Sequence, residues 1–196
     1  MKIAIADNNG LKFCADLKKH WEDAGHEVRY ERGASEVLAQ WADLYYIDWC
    51  DNNINYIYKL YHNELPDYPN GSSFKNPKIA VRAIDWEVWC GYARDQKLID
   101  FVDKWITIAP HIEKKLRSEA DFGDKLKLIR PGVNTERFTL KTKQTDGFQL
   151  GMVLGDMWWY KNHMGGLDIF KTLYDQDNRW RLHIRGQHEP GEYNPI

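Results

Sequence analysis

Three short segments of this chain combine residue types that could do chemistry. The first is Gly155-Asp156-Met157-Trp158-Trp159-Tyr160-Lys161-Asn162-His163. It follows an apolar run and precedes an amphipathic one, so it reads as a loop from a buried strand into a helix that starts near residue 162. The first N–H groups of such a helix are unpaired and its dipole is positive there, which favours an anion. Lys161 adds a mobile charge beside those donors, with Gly155 and Asn162 flanking it, and the set suits a diphosphate. The plainer and commoner reading of the same spacing is a solvated lysine at a helix start.

The second segment is Arg82-Ala83-Ile84-Asp85-Trp86-Glu87, just past a predicted strand. Two carboxylates and a guanidinium at a strand end can orient sugar hydroxyls or tune a general base, so Arg82, Asp85 and Glu87 are the catalytic candidates. A surface ion-pair network is the commoner fate of such charges. The third segment, Asn8-Asn9-Gly10, follows the first strand. Its amides suit sugar hydroxyls and Gly10 admits close backbone approach, which makes all three candidates for substrate binding; a plain helix cap is the alternative.

Several chemistries find no support. The chain has no G-x-G-x-x-G, no G-x-x-x-x-G-K-[ST] and no G-x-S-x-G, and its seven His form no H-E-x-x-H. Cys14, Cys50 and Cys90 make no C-x-x-C pair, so neither a zinc cluster nor a redox motif is expected, and no metal or cofactor is predicted. Sparse, odd-numbered thiols fit a reducing, cytoplasmic setting.

The elements that must position these segments alternate. Ile3-Ala4-Ile5-Ala6 reads as a buried strand, Cys14, Leu17, Trp21 and Ala24 as a helical stripe, and Gly25 as the residue that ends it. Further strands are predicted at 26–30, 44–48, 78–83, 105–109 and 126–129. Helices are expected from Ser35, along Ile54, Ile57, Tyr58 and Tyr61, over Leu98, Phe101 and Val102, and from Pro110. Residues 65–77, with three Pro, read as a long loop, and the polar stretch 130–147 as a linker. The pattern then restarts with a strand at 149–154, a loop at 155–161, a helix at 167–174 and a strand at 180–185. This α/β alternation predicts a mostly parallel, Rossmann-type sheet covered on both faces, with ligands at the edge that carries the strand-to-helix loops.

Composition narrows the class. The 196 residues hold 27 Lys+Arg against 29 Asp+Glu, and 43% are hydrophobic, which fits a folded chain rather than a disordered one. A net charge of -2 with no basic block argues against nucleic-acid partners. No segment approaches the roughly 20 apolar residues of a membrane span. Nine Trp are as compatible with a core as with sugar contacts.

Longer stretches resemble a known family. Val81-Arg82-x-x-Asp85-Trp86-Glu87, residues 100–116 (DFVDKWITIAPHIEKKL) and 128–138 (LIRPGVNTERF) are similar to the acceptor lobe and linker of the retaining GT-B glycosyltransferases of "group 1", family four. Residues 149–186 resemble the opening of their donor lobe. The resemblance implies an acceptor-side Rossmann-like domain at 1–140, a linker at 141–148 and an incomplete nucleotide-sugar domain at 149–196. It implies transfer of a sugar, with retention, from a nucleoside-diphosphate sugar to a sugar, glycan or other hydroxyl acceptor, without a metal. Lys161 would contact the diphosphate and Gly155 would allow its approach. The chain has Asp156 where many relatives carry Arg, and Ile84 where many carry His, so only Arg82 and Glu87 carry over in that motif. The family's spaced pair of donor-binding glutamates is absent from the 196 residues. The expectation is therefore a chain truncated within its donor lobe, with weak or no transfer and an unfinished sheet edge prone to self-association. A non-catalytic acceptor or carbohydrate-binding module of the same fold is the alternative, and a flavodoxin- or receiver-like domain a third.

Overall fold

The computed structural model describes residues 1–11, 13–62, 64–65, 77–136, 147–156 and 162–187. The chain divides into two compact units, Met1–Phe138 and Thr139–Ile196.

In the first unit the strands are β1 (Lys2–Asp7), β2 (Glu27–Glu31), β3 (Leu44–Asp48), β4 (Lys78–Ala83), β5 (Lys104–Thr107) and β6 (Leu126–Leu128). All pair in parallel, in the order β2-β1-β3-β4-β5-β6. The helices are α1 (Ala15–Asp23), α2 (Glu36–Trp41), α3 (Asn52–Tyr61), α4 (Trp86–Trp89), α5 (Gln96–Phe101) and α6 (Pro110–Glu119), with one 3-10 turn at Tyr92–Arg94. The α/β reading and the parallel sheet are borne out.

Helices lie on both faces, unequally among the described residues, and strand order gives the reason. Right-handed crossovers put a helix on one face when the chain steps one way along the sheet, and on the other when it steps back. Only the β1-to-β2 step runs outward; every later step runs toward β6. So, among the described helices of this unit, α1 has its face to itself, over Ile5 and Tyr46, with Cys14, Leu17 and Trp21 packed there. The opposite face carries the main core, built on Tyr45, Ile47, Ile79, Val81 and Trp105. Trp105 is fully buried and meets Phe122 edge-on at 5.4 Å. Beyond α1, no described helix covers the α1-side face of β4 to β6.

Local signals fix the helix ends. Gly25 takes φ +82° just past α1, in the left-handed region that glycine enters most easily. Ser35 caps α2, its Oγ accepting from the Leu38 N–H at 3.3 Å. Replacing Ser35 with Ala should cost about 1 kcal/mol in urea unfolding. A change indistinguishable from zero would show that the cap is dispensable.

The second unit holds β7 (Gln149–Asp156), α7 (His163–Gln176) and β8 (Arg181–Gln187), with β7 and β8 parallel. This is one β-α-β unit. β7 runs through Gly155 and Asp156, so those two residues end a strand and do not open a loop; an irregular register between Val153 and Asp156 lets the strand continue. A side chain at Gly166 would run into Met152 Sδ, so α7 packs against the β7 side chains at this glycine. Among the described residues, no helix is long and apolar enough to cross a membrane.

Candidate functional site

The parallel sheet of the first unit places the loops after β1, β3 and β4 on one edge. Asp7 ends β1, and its carboxylate accepts from the Asn9 N–H at 2.7 Å and the Leu11 N–H at 3.1 Å. Those bonds hold the following turn, in which Gly10 (φ +71°) and Leu11 (φ +64°) are both left-handed. Glycine takes that conformation without strain; leucine does not.

The three residues of that turn have different fates. Asn8 donates through Nδ2 to Asp51 Oδ2 at 2.6 Å, and its carbonyl accepts from Arg32 Nε at 3.2 Å. It therefore ties the β1 loop to the loops after β3 and β2. Asp51 also caps α3, accepting from the Asn53 N–H at 2.9 Å, and burial raises its carboxyl above the ordinary carboxylate range despite those bonds. Asn9 and Gly10 stay exposed at the edge. A side chain added at Gly10 would meet nothing within 4 Å, so the exposed backbone there is open to approach.

Arg82 and Glu87 take separate partners. Arg82 points to the α1 side and pairs with Asp48, its NH2 group 2.7 Å from Oδ2. Asp48 is fully buried and also accepts from the Tyr46 hydroxyl at 3.3 Å. Glu87, fully buried as well, accepts from the backbone N–H groups of Ile84 and of Asp85, the latter at 3.1 Å. It closes its own loop. Burial holds its carboxyl above the usual value, outweighing the three backbone donors that pull it down. Asp85 is exposed at the start of α4.

One group was not foreseen. Ligand-type atoms of Asp7, Cys14 and Asp48, all buried, lie within 4.8 Å of one another. The donors around them already match the set: two N–H groups serve Asp7, while Arg82 and Tyr46 serve Asp48. Burial first, then the Asp48 charge and its hydrogen bond, push the Cys14 thiol up, so it stays protonated and donates. The arrangement is a satisfied polar network that joins β1, β3, β4 and α1. The sequence signal for it is that β1 and β3 each close on Asp after an apolar run.

In the second unit Gly155 lies in β7, and Asn162 stands immediately before α7 at φ 53°, exposed and without a side-chain cap bond. A side chain at Gly165 would come within 2.7 Å of the Asn162 amide, so that amide folds over the first turn of α7. Lys161, the cation of the predicted diphosphate loop, lies outside the described residues, as do 141–146 of the predicted linker. The earlier part of that stretch, residues 130–136, belongs to the first unit. The Ile129 N–H just before it continues the sheet pairing, donating to the Thr107 carbonyl at 2.8 Å.

No protein-family model and no curated protein matches the sequence. Among solved structures, the chain is similar to S. aureus MnaA in complex with UDP (TM-score 0.58, 10% identity, 97% of this chain and 62% of that one). It is also similar to an alpha-glucosyltransferase in complex with UDP-glucose and DNA containing an abasic site (TM-score 0.51, 15% identity, 88% of this chain and 54% of that one). The chain thus spans less than two thirds of either protein, and what it shares with both is a fold: a helix-flanked parallel sheet of the Rossmann-like kind found in GT-B lobes.

Proposed function

We propose that this chain belongs to a nucleotide-sugar-dependent glycosyltransferase, its first unit serving the acceptor and its second the nucleoside-diphosphate sugar. The observation that carries this reading is the fold likeness over 97% and 88% of the chain to two proteins solved with UDP and with UDP-glucose. The start of α7 supports it: Asn162 makes no side-chain cap bond, its amide lies over the first turn beside Gly165, and a helix N-terminus favours a diphosphate. In this reading Lys161 neutralises the leaving diphosphate together with that helix start, in place of a metal. Transfer proceeds with retention to a hydroxyl acceptor held at the edge bearing Asn9, Gly10 and Asp85.

The test has two arms. Calorimetric titration with UDP, GDP and dTDP should give saturable binding, and Lys161→Ala should weaken the best of them about tenfold. Turnover is then assayed with the matching sugar nucleotides and simple glycoside acceptors. No binding of any nucleoside diphosphate sinks the reading, and unchanged binding by Lys161→Ala removes the loop assignment.

A second reading is favoured by the state of Arg82 and Glu87, both committed to partners within the fold. It is an acceptor- or carbohydrate-binding module without chemistry. Affinity for glycosides with none for nucleotides selects it.

A further inference from the structure

The α1-side face of β4 to β6 carries a trough of about 810 Å³. That lies within the size range of small-molecule sites. Tyr46, Ala80 and Ile106 form its floor, and Leu17 and Trp21 of α1 form one wall, the Trp21 ring meeting Tyr46 edge-on at 5.6 Å. Ile129 and Val133 line it from the segment after β6. Three lining residues, Phe13, Ile129 and Val133, are 50%, 55% and 70% exposed, so apolar surface left to solvent converges on one place.

Four cations border the same trough: Arg82, Lys104, Lys127 and Arg130. Arg82 is committed to Asp48, and Lys104 faces Asp124 at 3.7 Å. Among the described residues, Lys127 and Arg130 have no anionic partner. Asp16 is the lining's single described carboxylate, and it receives Asn134 Nδ2 at 3.4 Å. The two unpaired cations sit toward the C-terminal end of the strands, on β6 and just past it, while Leu44 and Lys104 mark the opposite end. From Lys104 to Ile108 the strand direction covers about 13 Å.

We propose that this trough binds a single-chain amphiphile with a phosphate head, its alkyl chain along the apolar floor and its phosphate between Lys127 and Arg130. A phosphate monoester carries about -1.5 to -2 charges at neutral pH, which matches two unpaired cations. The arginine fork suits phosphate oxygens, and the lysine adds a point charge. A neutral glycoside would leave both cations unmatched. Free phosphate would leave the floor wet. The proposal stands on the first unit alone and does not rest on glycosyl transfer.

Titration of the full chain with decyl phosphate below its micelle onset tests the proposal, against decyl glucoside and inorganic phosphate as controls. Decyl phosphate should bind saturably and at least about tenfold tighter than either control. Lys127→Glu combined with Arg130→Glu should weaken it by a similar factor with an unchanged melting temperature, since both side chains are exposed. Val133→Asp, at an exposed wall position, should weaken it independently. Equal binding of decyl glucoside, equal binding of inorganic phosphate, or no effect of the double charge reversal overturns the proposal. So does a concentration-dependent dimer that the double variant abolishes while decyl phosphate fails to bind, because the face then belongs to a second copy of the chain.

Discussion

Asp48→Ala should be the most damaging single change at the sheet edge, lowering stability by about 3–5 kcal/mol. Asp48 is fully buried, and the Arg82 side chain that pairs with it is only 16% exposed. Removing the carboxylate leaves a guanidinium with little water to replace its partner, and it deprives the Tyr46 hydroxyl of its acceptor. The Cys14 thiol loses an acceptor too. The reverse variant, Arg82→Ala, strands the carboxylate and should cost a comparable amount. Asp48→Leu combined with Arg82→Met replaces charge by apolar volume and should recover much of the loss, because a buried pair contributes little net stability once its desolvation is counted. Urea unfolding of wild type, the two alanine variants and the double alanine variant gives the coupling directly, and the Leu/Met pair measured beside them gives the recovery. A loss below about 1 kcal/mol for Asp48→Ala would show that water reaches the pair and that Arg82 is free for a ligand.

The local grammar of the first unit was legible because each signal acts within a few residues. An apolar run marks β1, Gly25 ends α1, Ser35 opens α2 and Pro110 opens α6. What those signals do not carry is strand order. That β2 lies outside β1 while β3 to β6 run the other way is a tertiary fact, and it decides that, among the described helices of the first unit, α1 has its face to itself. The stretch after Arg130 reads as a linker from its Pro and Gly, yet its early residues line the trough on that face. The site shows the same division. Asn8 was legible as a polar loop residue, but its use depends on Asp51, 43 positions away. Arg82 was legible as a candidate, but Asp48, 34 positions earlier, decides what it does. Glu87 is the opposite case: its partners are its own neighbours at Ile84 and Asp85, and a capping carboxylate three residues into a turn resembles a catalytic one in sequence.

Glu87 therefore separates a structural role from a chemical one, and pH supplies the contrast. Glu87→Ala leaves the N–H groups of Ile84 and Asp85 without their acceptor at a buried position, so it should cost about 2–4 kcal/mol. Its carboxyl is held above the ordinary glutamate value, chiefly by burial, so between the unfolded and folded values the native chain binds the extra proton. Stability contributed by this group is then greatest below the ordinary value and falls as pH rises through the folded one. Glu87→Gln has no proton to lose, and the stability difference between wild type and this variant should shrink in wild type's disfavour across that interval. A pH-independent difference would mean that the carboxyl is not desolvated as the fold indicates. The same variant tests catalysis. If Glu87 only holds its loop, Glu87→Gln should change the rate of any transfer no more than the loop's altered stability does, with kcat and KM shifting together. A collapse of kcat at constant KM in a fully folded Gln variant would instead make Glu87 the acid or base that its raised proton affinity permits.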